Sequence, residues 1–137
     1  MNFLEITPHS VDRLELFVRS IGSSADTFRY YSKRSPSKAI ANHLVTVLLI
    51  DEETVGYGHL DLEDGIVWLG ICVKDSCVGK GYGSIIMDKL VSSHDGDIML
   101  TVDSDNAAAI ALYKKFGFKV IKEGSMLSME RSSDTSI

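Results

Sequence analysis

Positive charge is scarce in this chain. Fourteen Lys and Arg stand against nineteen Asp and Glu, a net charge of -5 over 137 residues. That balance argues against nucleic acid as a partner, because a phosphate backbone needs a basic face. Cysteine is almost missing: Cys72 and Cys77 are the only two, without metal-ligand partners at suitable spacing, and read as free thiols. No metal is expected. There is no apolar run of membrane length. The first residues, Met1-Asn2-Phe3-Leu4-Glu5, carry neither a basic region nor an apolar run of signal length. Repeats, low-complexity runs and linkers are absent too. What remains is 45% hydrophobic residues, enough for a real core. The expectation is one cytoplasmic domain over residues 1–130 with a polar tail at 131–137, monomeric or a homodimer, with no membrane partner.

The chain alternates its periodicities. Phe3–Ile6 reads as a short strand. Thr7 can cap a helix with Pro8 in its first turn, and Val11, Leu14, Phe17, Val18 and Ile21 supply one apolar stripe that Gly22 can end. From Ser23 to Asn42 the pattern fades, apart from a short helix near Ser37–Ala41. Leu44–Ile50 is a buried strand and Val55–Glu63 the next. Asp64-Gly65 is a two-residue hairpin signal into the strand at Ile66–Val73. A helix follows from Gly81 towards Gly96, then strands at 98–102, 118–122 and 125–130.

The hairpin assigns faces. A two-residue loop pairs Glu63 with Ile66, Asp61 with Trp68 and His59 with Gly70. Tyr57, His59, Asp61 and Glu63 then share a face with Trp68 and Gly70. Leu60, Leu62, Val67, Leu69, Ile71 and Val73 make an apolar opposite face. The polar face is either ordinary solvated surface or an acceptor pocket.

Between strand and helix stands Val73-Lys74-Asp75-Ser76-Cys77-Val78-Gly79-Lys80-Gly81-Tyr82-Gly83-Ser84. Glycines at 79, 81 and 83 remove three β-carbons where a helix exposes unpaired N–H groups. Those groups and the positive end of the helix dipole suit a pyrophosphate. A flexible turn is the plainer alternative. A Walker loop is excluded, since Gly81 is followed by Tyr82-Gly83-Ser84, and the dinucleotide fingerprint lacks its third glycine at Ser84.

The stretch Asp105–Phe118 follows another apolar strand and contains Asn106, Ala109, Leu112, Tyr113, Gly117 and Phe118. Together with the glycine turn it resembles the GNAT superfamily of acyl-CoA-dependent N-acyltransferases. That family's second signature, roughly Asn-x-x-Ala-x-x-Leu-Tyr-x-x-x-Gly-Phe, is matched in full. Its first, Gln/Arg-x-x-Gly-x-Gly/Ala, is matched by Gly81 and Gly83, with Val78 where Gln or Arg is usual. The resemblance implies an α/β domain with a mixed, mostly antiparallel sheet of about six or seven strands and three or four helices.

It also implies acetyl-CoA as co-substrate, held by Ile71, Cys72, Val73, Val78, Gly79, Lys80, Gly81, Tyr82, Gly83, Ser84 and Asn106. A backbone N–H near Ile71–Val73 would polarise the thioester, and Tyr113 would be the general acid for the departing sulfur. The acceptor would be a small primary amine. Candidate bases are Asp61, His59 and Asp103, since Thr101 stands where some members carry a glutamate. Arg29, Lys33, Arg34 and Lys38 form a local basic patch with Phe28, Tyr30 and Tyr31. It is either a solvated loop or, with Trp68, an acceptor site for a phosphate or carboxylate, as in a nucleotide-linked amino sugar or an amino acid. A protein N-terminus or lysine is the alternative acceptor, and a non-catalytic acyl-CoA-binding module the alternative class.

Overall fold

The apolar runs form strands β1 (Asn2–Glu5), β2 (His43–Asp51), β3 (Glu53–Glu63), β4 (Ile66–Val73), β5 (Ile98–Asp103), β6 (Lys119–Lys122) and β7 (Met126–Arg131) in a computed structural model describing residues 1–133. They join in one seven-stranded sheet, ordered β1-β2-β3-β4-β5-β7-β6. Helices α1 (Val11–Ser20), α2 (Pro36–Ala39), α3 (Tyr82–Val91) and α4 (Ala107–Lys115) flank it. All pairings are antiparallel among the described residues except β4 with β5. The expected mixed, mostly antiparallel sheet with flanking helices is what the chain builds.

Alternation divides the core between the two faces of the sheet. Leu48, Tyr57 and Cys72 lie in one row across β2, β3 and β4 and pack with Leu14, Phe17 and Ile21 of the first helical segment. Val47, Leu49, Leu60 and Leu69 face the other way, against Ile86, Met87 and Leu90 of α3 and against Tyr113 and Phe118. Helices therefore cover both faces, and β3 is buried along most of its length. The apolar stripe of α1 is as the 3.6-residue period requires, with Leu14 fully buried. Full burial of one such leucine contributes about 1.5–3 kcal/mol.

Boundaries differ from the sequence expectation by three residues or more at three places. Helix α1 starts at Val11 rather than after Thr7, because side chains close a separate turn first. Thr7 Oγ1 accepts from the His9 N–H at 3.2 Å, and Ser10 Oγ accepts from the Thr7 N–H at 3.0 Å. Helix α3 ends at Val91, short of Gly96, where Ser93 Oγ donates back to the Lys89 carbonyl at 2.6 Å. The domain also runs past 130. Arg131 pairs with Ile98 in the sheet, its Nε donates to the Phe116 carbonyl at 3.0 Å, and the Ser133 N–H donates to Asp97 Oδ1. The remainder of the expected tail, 134–137, lies outside the described residues.

The hairpin register is the expected one: Glu63 with Ile66, Asp61 with Trp68, His59 with Gly70. Asp64 and Gly65 both take positive φ, 51° and 78°, as a tight two-residue loop requires. Of the apolar face, Leu60, Val67 and Leu69 are buried, Ile71 and Val73 half-buried, and Leu62 at the hairpin end exposed. Beyond the hairpin, β4 meets β5 in a single row, Trp68 with Met99. β5 continues along β7 for six rows and β4 along β3 for eight, so the two strands part and leave a wedge.

One glycine on β4 is fixed by packing. A β-carbon on Gly70 would stand 2.3 Å from the His59 ring, which is 1% exposed and cannot swing away. Gly70→Ala is expected to lower stability by about 1–3 kcal/mol through overpacking. Urea unfolding checks it; an unchanged midpoint would mean that the ring is free to move.

Candidate active site

The wedge is a cavity of ≈ 480 Å³. Leu69–Val73 of β4 form one wall and Thr101–Asp103 of β5 the other, with Asn106 and Tyr113 from the α4 segment beneath. Past Trp68, β4 has no partner on this side, so its outward N–H and C=O groups need other partners. One is met from a loop: Ser24 Oγ donates to the Val73 carbonyl at 2.7 Å.

At the mouth stands the glycine turn. Gly79 and Gly81 take φ of 80° and 85°, and Gly81 is the N-cap of α3. Among the described residues no side chain caps that helix, so its first-turn donors are open to an anion. A β-carbon at either glycine would meet nothing within 4 Å, so the turn leaves room outside its main chain. Val78 is 60% exposed and lines the wedge, as does Gly83, set close to Leu112. Tyr82 turns elsewhere, its hydroxyl donating to Asp51 Oδ2 at 2.5 Å. Lys80 is exposed, and Ser84 sits in a separate groove with Phe3 and Ile85. The predicted cofactor residues thus divide into wall positions and turn positions. Asn106 caps α4 through Oδ1, which accepts from the Ala109 N–H at 3.3 Å.

Tyr113 reaches the wedge from α4 and is 8% exposed. Burial, with Cys72 nearby, pushes its hydroxyl up to about 12, so the proton stays on at neutral pH. Burial likewise lifts the Cys72 thiol to about 12, which leaves it neutral and a poor nucleophile.

The polar hairpin face is not solvated surface. Tyr57, His59 and Asp61 are each 1% exposed, covered by the loop that carries Phe28, Tyr30 and Tyr31. Tyr30 donates to Asp61 Oδ2 at 2.7 Å and meets His43 Nε2 at 2.8 Å, while Thr46 Oγ1 meets His43 Nδ1. A second chain runs from Tyr31 through Tyr57 to His59 Nδ1, at 2.6 and 2.7 Å. Burial holds His59 well below its usual 6.5 and lowers His43 to about 4, so both rings are neutral at pH 7. Burial and the bond to Asp61 raise the Tyr30 hydroxyl.

The remaining predicted residues separate. Asp103 sits on the wedge, but Arg29 holds it in a two-pronged pair, at 3.1 and 2.8 Å, which lowers its pKa and weakens it as a base. Arg29 is therefore not free for an acceptor, a departure from the sequence expectation. Trp68 is half-buried and lines no part of the wedge, also against expectation. Arg34 lies over the Tyr30 ring at 4.1 Å and 3.9 Å from Glu63 Oε1. With Lys33 and Lys38 it walls a second cavity of ≈ 400 Å³ whose floor includes Asp61 and Glu63. Tyr30 and Arg34 line both cavities. Among the described residues no group of three or more His, Cys, Asp or Glu is placed to hold a metal.

Sequence reasoning did not single out Ser24, His43 or Thr46. Ser24 has no signal beyond residue type. The aromatic cluster at 28–31 was visible, but without periodicity nothing located its partners.

The buried imidazoles make stability pH-dependent. Below about 6.5 the unfolded chain binds protons that the folded His59 and His43 refuse, so stability falls as pH drops from 6.5 towards 4. His59 can contribute up to about 1.4 kcal/mol per pH unit, and the more open His43 less. Melting curves at pH 7, 6 and 5 should show a falling Tm, with a shallower fall in His59→Gln. An equal slope in both proteins would mean that His59 accepts a proton within the fold.

Comparison with known proteins bears on the family and the fold. Residues 12–118 match the acetyltransferase (GNAT) family. The chain is 31% identical over 93 residues to the L-amino acid N-acetyltransferase AaaT of Escherichia coli (strain K12), covering 61% of this chain and 57% of that protein. It thus spans little more than half the length of that curated relative. A GNAT-family acetyltransferase from Streptococcus pneumoniae superimposes with a TM-score of 0.79 at 18% identity, covering 96% of this chain and 98% of that one. yncA from Salmonella typhimurium, solved with its cofactor acetyl-CoA, gives 0.75 at 17% identity, covering 98% and 94%. At such identity these two structures speak for the fold. The family match extends over most of the chain and takes in both the glycine turn and Tyr113, and on that ground the chain belongs to the acetyltransferase (GNAT) family.

Proposed function

We propose that this protein is an acetyl-CoA-dependent N-acetyltransferase acting on a small primary amine that carries an anionic group. The wedge is the observation that carries the reading. It brings unpartnered main chain of β4, a protonated tyrosine and an uncapped helix N-terminus to one opening. The acetyl donor fits the residues present: diphosphate at the turn of Gly79–Gly83, its amide arm along Leu69–Val73 and Asn106.

Each residue then has a task. Main-chain N–H groups of Ile71–Val73 stabilise the negative charge that develops on the carbonyl oxygen during attack. The new N–C bond forms as the C–S bond breaks, and Tyr113 gives its proton to the departing sulfur. The ammonium of the acceptor releases one proton to solvent before attack, and a second from the nitrogen restores Tyr113 by way of water, so one proton is released net. Of the three candidate bases only Asp103 lines the wedge, where Arg29 engages it, and the buried His59 resists protonation, so the amine's protons leave by way of water. Lys33 and Arg34 supply the attraction for the acceptor's anion.

Release of free CoA thiol with small amines tests the reading. Tyr113→Phe should lower kcat about a hundredfold, the low end for a general acid, because a thiol leaving group needs less help than an alkoxide. The KM for acetyl-CoA should hardly change; an unchanged kcat in a chemistry-limited assay would leave Tyr113 as core. Val78→Arg should tighten acetyl-CoA several-fold by a charge-assisted contact to phosphate. Calorimetry showing equal or weaker binding would place the diphosphate elsewhere.

A further inference from the structure

The second cavity bears on which amine is acetylated. Its floor holds Asp61, whose Oδ2 accepts from Tyr30 while its buried Oδ1 has no hydrogen-bond donor. A buried carboxylate oxygen without a donor is a costly arrangement, so the site favours a ligand that brings one. Glu63 lies two residues along the same face, and the Asp61 carboxyl beside it raises its pKa, because a proton on either group relieves the crowding of two carboxylates. A ligand ammonium replaces such a proton with a full positive charge.

The opposite wall has the other sign. Lys33, Arg34 and Lys38 face this cavity, and among the described residues neither lysine has an ion-pair partner. Acid on the floor and base on the wall match a compact head group bearing both an ammonium and a carboxylate.

That head group is not at the reacting centre. Asp61 lies in the row of Trp68, three to five residues before Ile71–Val73, or about 10–17 Å along the strand at 3.3 Å per residue. The two cavities adjoin at Tyr30 and Arg34. The α-nitrogen and ω-nitrogen of lysine are six bonds apart, about 7–8 Å when extended, and a hydrogen bond of about 2.9 Å at each end brings the span to about 13 Å. Resting on the acetyltransferase reading above, we propose that the cavity over Asp61 is a head-group subsite for a free diamino acid. The α-ammonium meets Asp61 and Glu63, the α-carboxylate meets Lys33, Arg34 and Lys38, and the ω-amine extends past Tyr30 into the wedge to be acetylated.

The whole protein is incubated with acetyl-CoA and, separately, L-lysine, L-ornithine, L-norleucine and 1,5-diaminopentane. CoA thiol is followed, and the acetyl group is located by fragment-ion mass spectrometry. Lysine or ornithine should be acetylated on the ω-nitrogen. Diaminopentane, lacking the head group, should show kcat/KM at least tenfold lower, and norleucine, lacking the ω-amine, no turnover. Asp61→Asn and, independently, the surface change Lys38→Gln should raise the KM for lysine several-fold with the KM for acetyl-CoA unchanged. Acetylation on the α-nitrogen, or equal kcat/KM for lysine and diaminopentane, would overturn the subsite while leaving the acetyltransferase intact. Absence of CoA release with every amine would overturn the acetyltransferase reading, and the subsite with it.

Discussion

Everything at the site depends on two strands that meet once and then part. β4 is committed to β3 over its full length and β5 to β7, so among the described residues their ladder pairing is confined to Trp68 and Met99. Sheet twist turns that single row into an opening rather than a continued ladder. The exposed edge of β4 would be costly to bury unpaired, and Ser24 meets only one of its carbonyls. The fold thus preserves a strip of main chain whose natural complement is an extended amide-bearing ligand. The crossover from β4 to β5 must pass through a helix, and that places the N-terminus of α3, with its glycine turn, at the mouth of the same opening. Binding edge and anion site are therefore two results of one connection.

The other half of the site is a polar network inside an aromatic shell. Tyr57, His59 and Asp61 would be expensive to bury alone; Tyr31 and Tyr30 of the covering loop meet Tyr57 and Asp61 Oδ2, and Tyr57 in turn meets His59. The loop has little regular structure, so these bonds and the ring contacts of Phe28, Tyr30 and Tyr31 are what hold it over the sheet. Neutral bonds of this kind contribute about 0.5–1.5 kcal/mol each, and ring pairs about as much. The Arg29–Asp103 pair joins the loop to β5, but it is half-open to water and gives position more than stability.

The sequence carried the sheet, the helices and the hairpin register because each rests on a local period: two for strands, 3.6 for helices, and a positive-φ pair at Asp64-Gly65. The wall of the site came from the family resemblance rather than from periodicity, which by itself places Ile71–Val73 on a strand, Val78 in a turn and Tyr113 on a helix without giving any of them a role. What failed was distal in sequence. That Asp103 is engaged by Arg29 depends on a contact across 74 residues, and nothing near either residue signals it. Trp68 shares a face with Asp61, as alternation requires, yet a shared face is not a shared cavity. The choice between wet surface and pocket for His59 and Asp61 could not be made from alternation either, because it turns on an aperiodic loop.

Among the described residues the wedge holds no carboxylate free of an ion pair, and this has a physical consequence for the reaction. Thr101 puts a hydroxyl on β5 where a carboxylate could have stood, Asp103 is neutralised by Arg29, and His59 resists protonation. An amine entering the wedge then meets partly apolar walls and the guanidinium of Arg34. Desolvation and a nearby positive charge both disfavour an ammonium, so both lower its pKa from the usual value of about 10.4. Each unit of that shift makes the neutral amine about tenfold more available at pH 7. The site can thereby favour deprotonation through its surroundings and leave the proton to water, which asks less of any single residue. On this view the charge of Arg34 serves two ends: it attracts the acceptor's carboxylate at one cavity and discourages its ammonium at the other.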